Sequence, residues 1–200
     1  MTNQQMLTRH LTGIAAIVLF GLMPACTRLQ PADIQPDQNA QPYEQETIVR
    51  EAEGFFGRGV EGLADVLNRV FRDRGDPAAY IKGEEGGGAV GLGLRYGKGT
   101  LYMRDGTAVD VYWRGPSIGL DVGGSAAKAF ILIYDLPDLE ALFTRYGGVE
   151  GSLFAVGGVG VNYNRNGQTL LAPVRFGVGW RQGVNVGYLH LSRDRSWMPF

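Results

Sequence analysis

The chain holds one cysteine and two histidines in 200 residues. One cysteine excludes an internal disulfide and any cysteine-built zinc site, and two histidines cannot supply three imidazole ligands. Charge of one sign is also lacking, with 19 Lys and Arg against 20 Asp and Glu. That balance offers no basic field for nucleic acid. The longest apolar run, Leu11 to Met23, falls short of the roughly 20 residues that a membrane-crossing helix needs. No G-X-Y period accompanies the 31 glycines, and hydrophobic residues reach 44%, so collagen-like and disordered readings fail. What remains is a folded, glycine-loaded chain of single-domain size, with no residue set that asks for a metal or a cofactor.

Residues 1–10 contain Arg9 and no acid, the apolar run follows, and Pro24-Ala25 precede Cys26. This order is that of a secretory signal peptide over residues 1–25. Its removal takes away Arg9 and His10 and leaves 18 basic against 20 acidic residues. The only cysteine stands directly after the expected cut, where a bacterial lipoprotein is acylated, so Cys26 is the expected lipidation site. Each buried acyl methylene contributes about 0.8 kcal/mol, and two or three chains make a permanent anchor. Thr27 is not an Asp-type retention signal for the inner membrane, so the periplasm, with anchoring in the outer membrane, is the expected location. Residues 26–46 are rich in Gln and Pro with few large apolar residues, and read as a disordered tether. The folded domain is expected over 47–200.

Between Gly59 and Arg74, the residues Val60, Leu63, Ala64, Leu67, Val70 and Phe71 fall on one face of a helix. Gly75 and Pro77 end it. From Ala79 onward the period becomes two, in about nine short runs divided by turn residues. Asp105-Gly106 and Asn166-Gly167 suit two-residue hairpin turns, and Gly97-Lys98-Gly99 a tight turn. A short helix is expected over Asp138 to Tyr146. Glycines within the runs, such as Gly91, Gly157 and Gly158, permit the coiling of a small barrel. The expected fold is mainly β: a small antiparallel β-barrel of about eight strands, one packed N-terminal amphipathic helix and a short mid-chain helix.

Several motifs imitate chemistry. Gly115-Pro116-Ser117-Ile118-Gly119 fits G-x-S-x-G, and His190 follows in hydrolase order, but a nucleophile elbow needs a strand, a turn and then a helix. The run after Ser117 reads as strand. A serine esterase using Ser117 therefore stands only as an alternative, and no catalytic residue is assigned. Asn162 to Gly167 begins like a calcium loop, yet its twelfth position is Pro173. Glu84 and Glu85 are adjacent in a strand, so they point to opposite faces and form no carboxylate pair. Aromatics at strand ends offer more. Tyr112-Trp113-Arg114, Trp180-Arg181 and the terminal Trp197 to Phe200 can plug a barrel or meet lipid. Trp113, Arg114 and Ser117 are the candidate ligand contacts.

Gly54-Phe55-Phe56-Gly57, Ala79 to Gly86, Leu94-Arg95-Tyr96-Gly97, Val111 to Gly119, Gly147 to Ser152, Val156 to Val161, Leu171 to Arg175, Asn185 to Leu189 and Trp197 to Phe200 stand here in one order. In these segments the chain resembles the envelope integrity protein A family, a domain of unknown function, over about residues 54–200. The resemblance implies a periplasmic β-barrel of about eight strands, needed for resistance to envelope stress and linked genetically to lipopolysaccharide O-antigen. No enzymatic activity is implied. Gly115 to Gly119 and Gly123-Gly124-Ser125 are more loosely similar to the SYLF lipid-binding domains, which implies a lipid or phosphate-headgroup ligand.

The expected function is thus non-enzymatic support of the cell envelope by binding an envelope lipid, glycan or protein, with membrane contact through Cys26. An integral outer-membrane barrel is the alternative. Its strands need about 9 to 11 residues each, and several runs here are shorter.

Overall fold

The structure, a computed structural model, describes residues 42–178 and 187–196, without the side chains of 88–92, 117–126 and 177–178. The expected signal peptide, Cys26, most of the tether, Trp180-Arg181 and Trp197 to Phe200 lie outside the described residues.

Two helices precede the sheet, where the sequence pattern predicts one. The first, α1, spans Gln45–Phe56 and buries Ile48, Ala52 and Phe56, one residue per turn of a single face. It begins two residues before the expected start of the folded domain. Ahead of it, Tyr43 donates its backbone N–H to the Pro77 carbonyl at 2.8 Å and sets its ring edge-on to Tyr80. The second, α2, spans Leu63–Arg74 and buries Leu63, Val66, Leu67, Val70 and Phe71. It starts later than Gly59 because Gly59 and Gly62 both take positive φ, a backbone a helix interior does not adopt. Gly75 ends it as expected, at φ 73° with its N–H donated to Phe71 O.

Eight strands follow: β1 Ala79–Met103, β2 Ala108–Tyr134, β3 Arg145–Gly148, β4 Phe154–Val156, β5 Val159–Val161, β6 Asn164–Asn166, β7 Thr169–Val178 and β8 Tyr188–Ser192. They make one antiparallel sheet. The first six expected runs are only two strands, of 25 and 27 residues, paired from Ala79↔Ile133 to Tyr102↔Ala108. Their interior glycines do not end the strands, although the register shifts once, between Gly87 and Ala89. Gly97-Lys98-Gly99, expected to turn, runs straight through β1. The turn falls at Asp105-Gly106, where Gly106 takes φ 87° and Asp105 Oδ1 accepts from Thr107 N at 2.8 Å. Residues Gly167 and Gln168 join β6 to β7, with Asn166 facing Thr169. Gly157 and Gly158, at φ 58° and 79°, join β4 to β5.

The long hairpin closes the barrel by folding on itself. Early in β2, Tyr112 to Arg114 pair with β8, whereas Ala126 to Tyr134 pair with β7. Strands β8, β3, β6 and β7 complete the ring. The two halves of β1 meet backbone to backbone, so close that a Cβ on Gly83 would lie 2.7 Å from Gly99 Cα. Glycine permits that approach.

The mid-chain helix is reduced to one 3-10 turn, Glu140–Leu142. Asp138 Oδ1 accepts from Ala141 N at 2.7 Å to start it, and β3 begins at Arg145. Tyr146, expected at the helix end, is instead buried in β3, with its hydroxyl within 3.1 Å of the carbonyls of Ala141 and Leu142. Burial pushes that phenol up to about 12.

Alternation in the strands produces two cores. Ala79, Ile81, Leu101, Val111, Trp113, Ile131 and Leu191 fill the barrel. Phe130, Leu132, Leu170, Ala172 and Val174 point outward and are covered by α1 and α2. This cover leaves no lipid-facing band over those strands, which opposes the membrane-barrel alternative.

Candidate functional site

The two halves of β1 stay close from the Gly83–Gly99 crossing to Gly87, where a Cβ would lie 3.1 Å from Arg95 Cα, and along this seam lies a cavity of about 670 Å³. Glu84 to Gly86 line it from one half, and Tyr96 to Lys98 from the other. Phe56, brought in by the end of α1, and Phe176 of β7 form an apolar wall, with ring centroids 6.4 Å apart. Lys128 stands beside them and donates to Phe55 O at 2.8 Å.

Trp113 forms the floor. Its indole lies against Gly97 so closely that any Cβ there would overlap the ring, and a Cβ on Gly83 would lie 2.7 Å from Trp113 Cη2. The ring is 2% exposed. Its Nε1–H donates to Glu85 Oε2 at 3.2 Å.

Glu85 belongs to a polar cluster inside the barrel. Its Oε1 accepts from Arg175 Nε at 2.7 Å, and Arg95 Nε lies 3.4 Å away. Arg175 Nη1 donates to Asn162 Oδ1 at 2.6 Å, and Asn162 in turn donates to Asn164 Oδ1 at 3.2 Å. The Arg175 guanidinium is held below its ordinary range by burial, with Glu85 opposing that shift. Its Nη2 is buried without a hydrogen-bond partner. Glu84, one residue earlier, faces out and is exposed, as strand alternation requires.

On the other wall the ladder sets residues into rows. Tyr96 faces Arg114, Arg114 faces His190, and His190 faces Arg145. The adjacent row runs Lys98, Tyr112 and Ser192. Residues directly opposite in a ladder share a sheet face, so these seven lie on one side. Arg114 is 9% exposed. Its Nη2 donates to His190 Nδ1 at 3.3 Å, while its Nε is buried without a partner. Burial, then the nearby charges of Arg114 and Arg145, hold His190 below the usual imidazole range.

Trp113 and Arg114 both line this cavity, but as neighbours on one strand they take opposite faces, the indole into the barrel and the guanidinium with the outer row. Ser117 lies three residues on, in β2 opposite Gly93, and its side chain is outside the described ones. Strand β2 continues to Tyr134, so no helix follows Ser117 and the strand-turn-helix of a nucleophile elbow is missing. His190 is engaged by Arg114, and Ser192 gives its hydroxyl to Asp194 O at 2.9 Å. Among the described residues, no three His, Cys, Asp or Glu gather to hold a metal ion.

Sequence reasoning missed Phe56, Phe176 and Lys98 as cavity residues, and Glu85 with Arg175 as partners. The last two are 90 positions apart, a separation no local spacing reveals. Phe56 was detectable, since Ile48, Ala52 and Phe56 recur every fourth residue.

No curated protein matches the chain. It is similar to a crystal structure described as a beta-barrel-like, uncharacterized protein from Brucella abortus, at 42% identity and a TM-score of 0.72, covering 80% of this chain and 99% of that one. Neither that description nor the family description names an enzymatic activity. The envelope integrity protein A model matches residues 41–200, and the chain belongs to that family.

Proposed function

We propose that this protein is a non-catalytic binding module of the periplasm that supports envelope integrity by holding an amphiphilic envelope lipid or glycan in the seam of its barrel. The observation that carries the reading is the cavity itself. Its volume of about 670 Å³ lies within the 300–1,000 Å³ typical of small-molecule sites. It also joins an apolar wall to a few convergent polar groups, with Trp113 and Arg114 as its expected contacts and Ser117 close along the same strand. A protein partner is disfavoured, because protein interfaces are broad surfaces while this is a crevice. Cys26 acylation would keep the domain at the membrane that supplies such a molecule, with residues 26–46 as the tether.

The test is native mass spectrometry with lipid extraction on protein purified from envelope fractions, wild type beside Cys26→Ser. The expected result is acyl mass on the wild type alone and a noncovalently held envelope molecule in both. Empty protein in both forms would overturn the reading.

A further inference from the structure

The chemical class of the ligand can be argued from Arg114. An arginine keeps its positive charge at any ordinary pH, and a guanidinium nine-tenths buried is strongly unfavourable unless a counter-charge and hydrogen bonds replace its water. Arg114 has no such counter-charge among the described residues. Among the described residues its hydrogen-bond partner is His190, and its Nε is unpartnered. The two rows around it add Lys98 and Arg145 and contain no carboxylate. The next row of the ladder brings Asp110, opposite Thr100. It is exposed.

The rest of the cavity does not neutralise this excess. Glu85 is committed to Arg175 and Arg95, so it leaves that buried cluster with one net positive charge. Glu84 is exposed to water. Lys128 also faces the cavity, beside Phe56 and Phe176.

We infer that the Arg114 end of the cavity receives an oxyanion, a phosphate or carboxylate group, carried on an apolar body that lies along Phe56 and Phe176, over the Gly97 backbone beneath which Trp113 packs. The inference rests on the proposed function and sharpens it to an acidic amphiphile. A guanidinium presents paired donors to such a group. Nη2 is held by His190 and Nε has no partner among the described residues, so the guanidinium keeps unspent donor capacity. The aromatic wall takes an alkyl or isoprenoid chain, so lipid headgroups are served and free phosphate is served poorly.

The experiment is isothermal titration of the protein with four probes below their micellar concentrations: n-decyl phosphate, n-decanoate, n-decyl maltoside and inorganic phosphate. Wild type is expected to bind the two acidic amphiphiles at least about tenfold more tightly than the maltoside or inorganic phosphate. Arg114→Gln is expected to weaken the acidic amphiphiles by about tenfold or more, leaving the maltoside unchanged. Arg114→Lys falls between, and Arg72→Gln on α2 serves as a charge control with wild-type binding. Equal binding of maltoside and decyl phosphate by wild type would overturn the oxyanion assignment and leave the amphiphile reading standing. Binding of no amphiphile would overturn both. Inorganic phosphate binding as tightly as decyl phosphate would overturn the apolar body. The wild-type comparison decides the matter even where a variant fails to fold.

Discussion

Removing the Glu85 carboxylate should damage the barrel far more than an ordinary core truncation. Glu85 accepts from Arg175 Nε at 2.7 Å and from the Trp113 indole at 3.2 Å, with Arg95 Nε 3.4 Å away. Arg175 and Glu85 are 2% and 5% exposed. Glu85→Ala leaves Arg175 charged in the interior beside Arg95, with Asn162 as its remaining acceptor among the described residues. Breaking a buried pair in this way costs about 3–5 kcal/mol, and the orphaned indole N–H adds about 1 kcal/mol. Against a total stability of about 5–15 kcal/mol, that is a large fraction. With a urea slope of about 2 kcal/mol/M, the unfolding midpoint should fall by about 2–3 M, read by far-ultraviolet circular dichroism. Glu85→Gln keeps a single acceptor oxygen, for Arg175 or the indole but not both, and should lose less than Glu85→Ala. The pair Glu85→Leu with Arg175→Met removes both charges together and should recover most of the loss, since a buried ion pair is often replaceable by apolar residues. A double-mutant coupling above about 2 kcal/mol is expected. A loss under 1 kcal/mol for Glu85→Ala, or strict additivity in the cycle, would refute the account of this cluster.

Three further outcomes follow from the geometry. Gly97→Ala drives a methyl into the Trp113 indole and should destabilise by about 1–3 kcal/mol, the usual range for overpacking, with a changed near-ultraviolet spectrum. Gly54→Ala, inside α1 with nothing within 4 Å of the added Cβ, should instead stabilise by about 0.5–1 kcal/mol in thermal unfolding. Stability of the ligand-free protein should decline as pH falls below 6.5. The His190 pKa is depressed from that value by burial and by Arg114 and Arg145, so the unfolded chain takes up the proton first. Tyr96 is the group opposite Arg114 in the same row. The decline should be shallower in His190→Gln; an unchanged pH slope in that variant would contradict the assignment.

The fold class was legible because alternation and turn chemistry are local. Asp105-Gly106 marks a turn by a backbone conformation that glycine takes without strain, and Gly75 ends α2 the same way, whereas Gly157-Gly158, expected within a strand, turns between β4 and β5. The lengths of the strands were not legible, since six expected runs are the two strands β1 and β2. Gly83, Gly97 and Gly99 look like punctuation, yet each serves a close approach to backbone or indole from a distant part of the chain. A glycine that permits a turn and one that permits a crossing look alike until the partner is known. Helix α1 was missed because its first turn is polar and continues the Gln-rich composition before it. For the site, Trp113 and Arg114 stood out as large groups at a strand end. Glu85 looked like a solvated strand residue, since its partner Arg175 comes from β7 and its indole donor from β2.

The central claim is that the barrel seam, floored by Trp113 and flanked by Arg114, takes an acidic amphiphile. Nitrogen–proton correlation spectra of the labelled protein titrated with n-decyl phosphate test it most directly, with the Trp113 indole signal assigned by its loss in Trp113→Phe. The account predicts shifts of that indole and of backbone amides in 84–86, 96–98 and 112–114, and little change on the exposed face of α1. Shifts confined to α1 and α2, with the Trp113 indole unmoved, would contradict it.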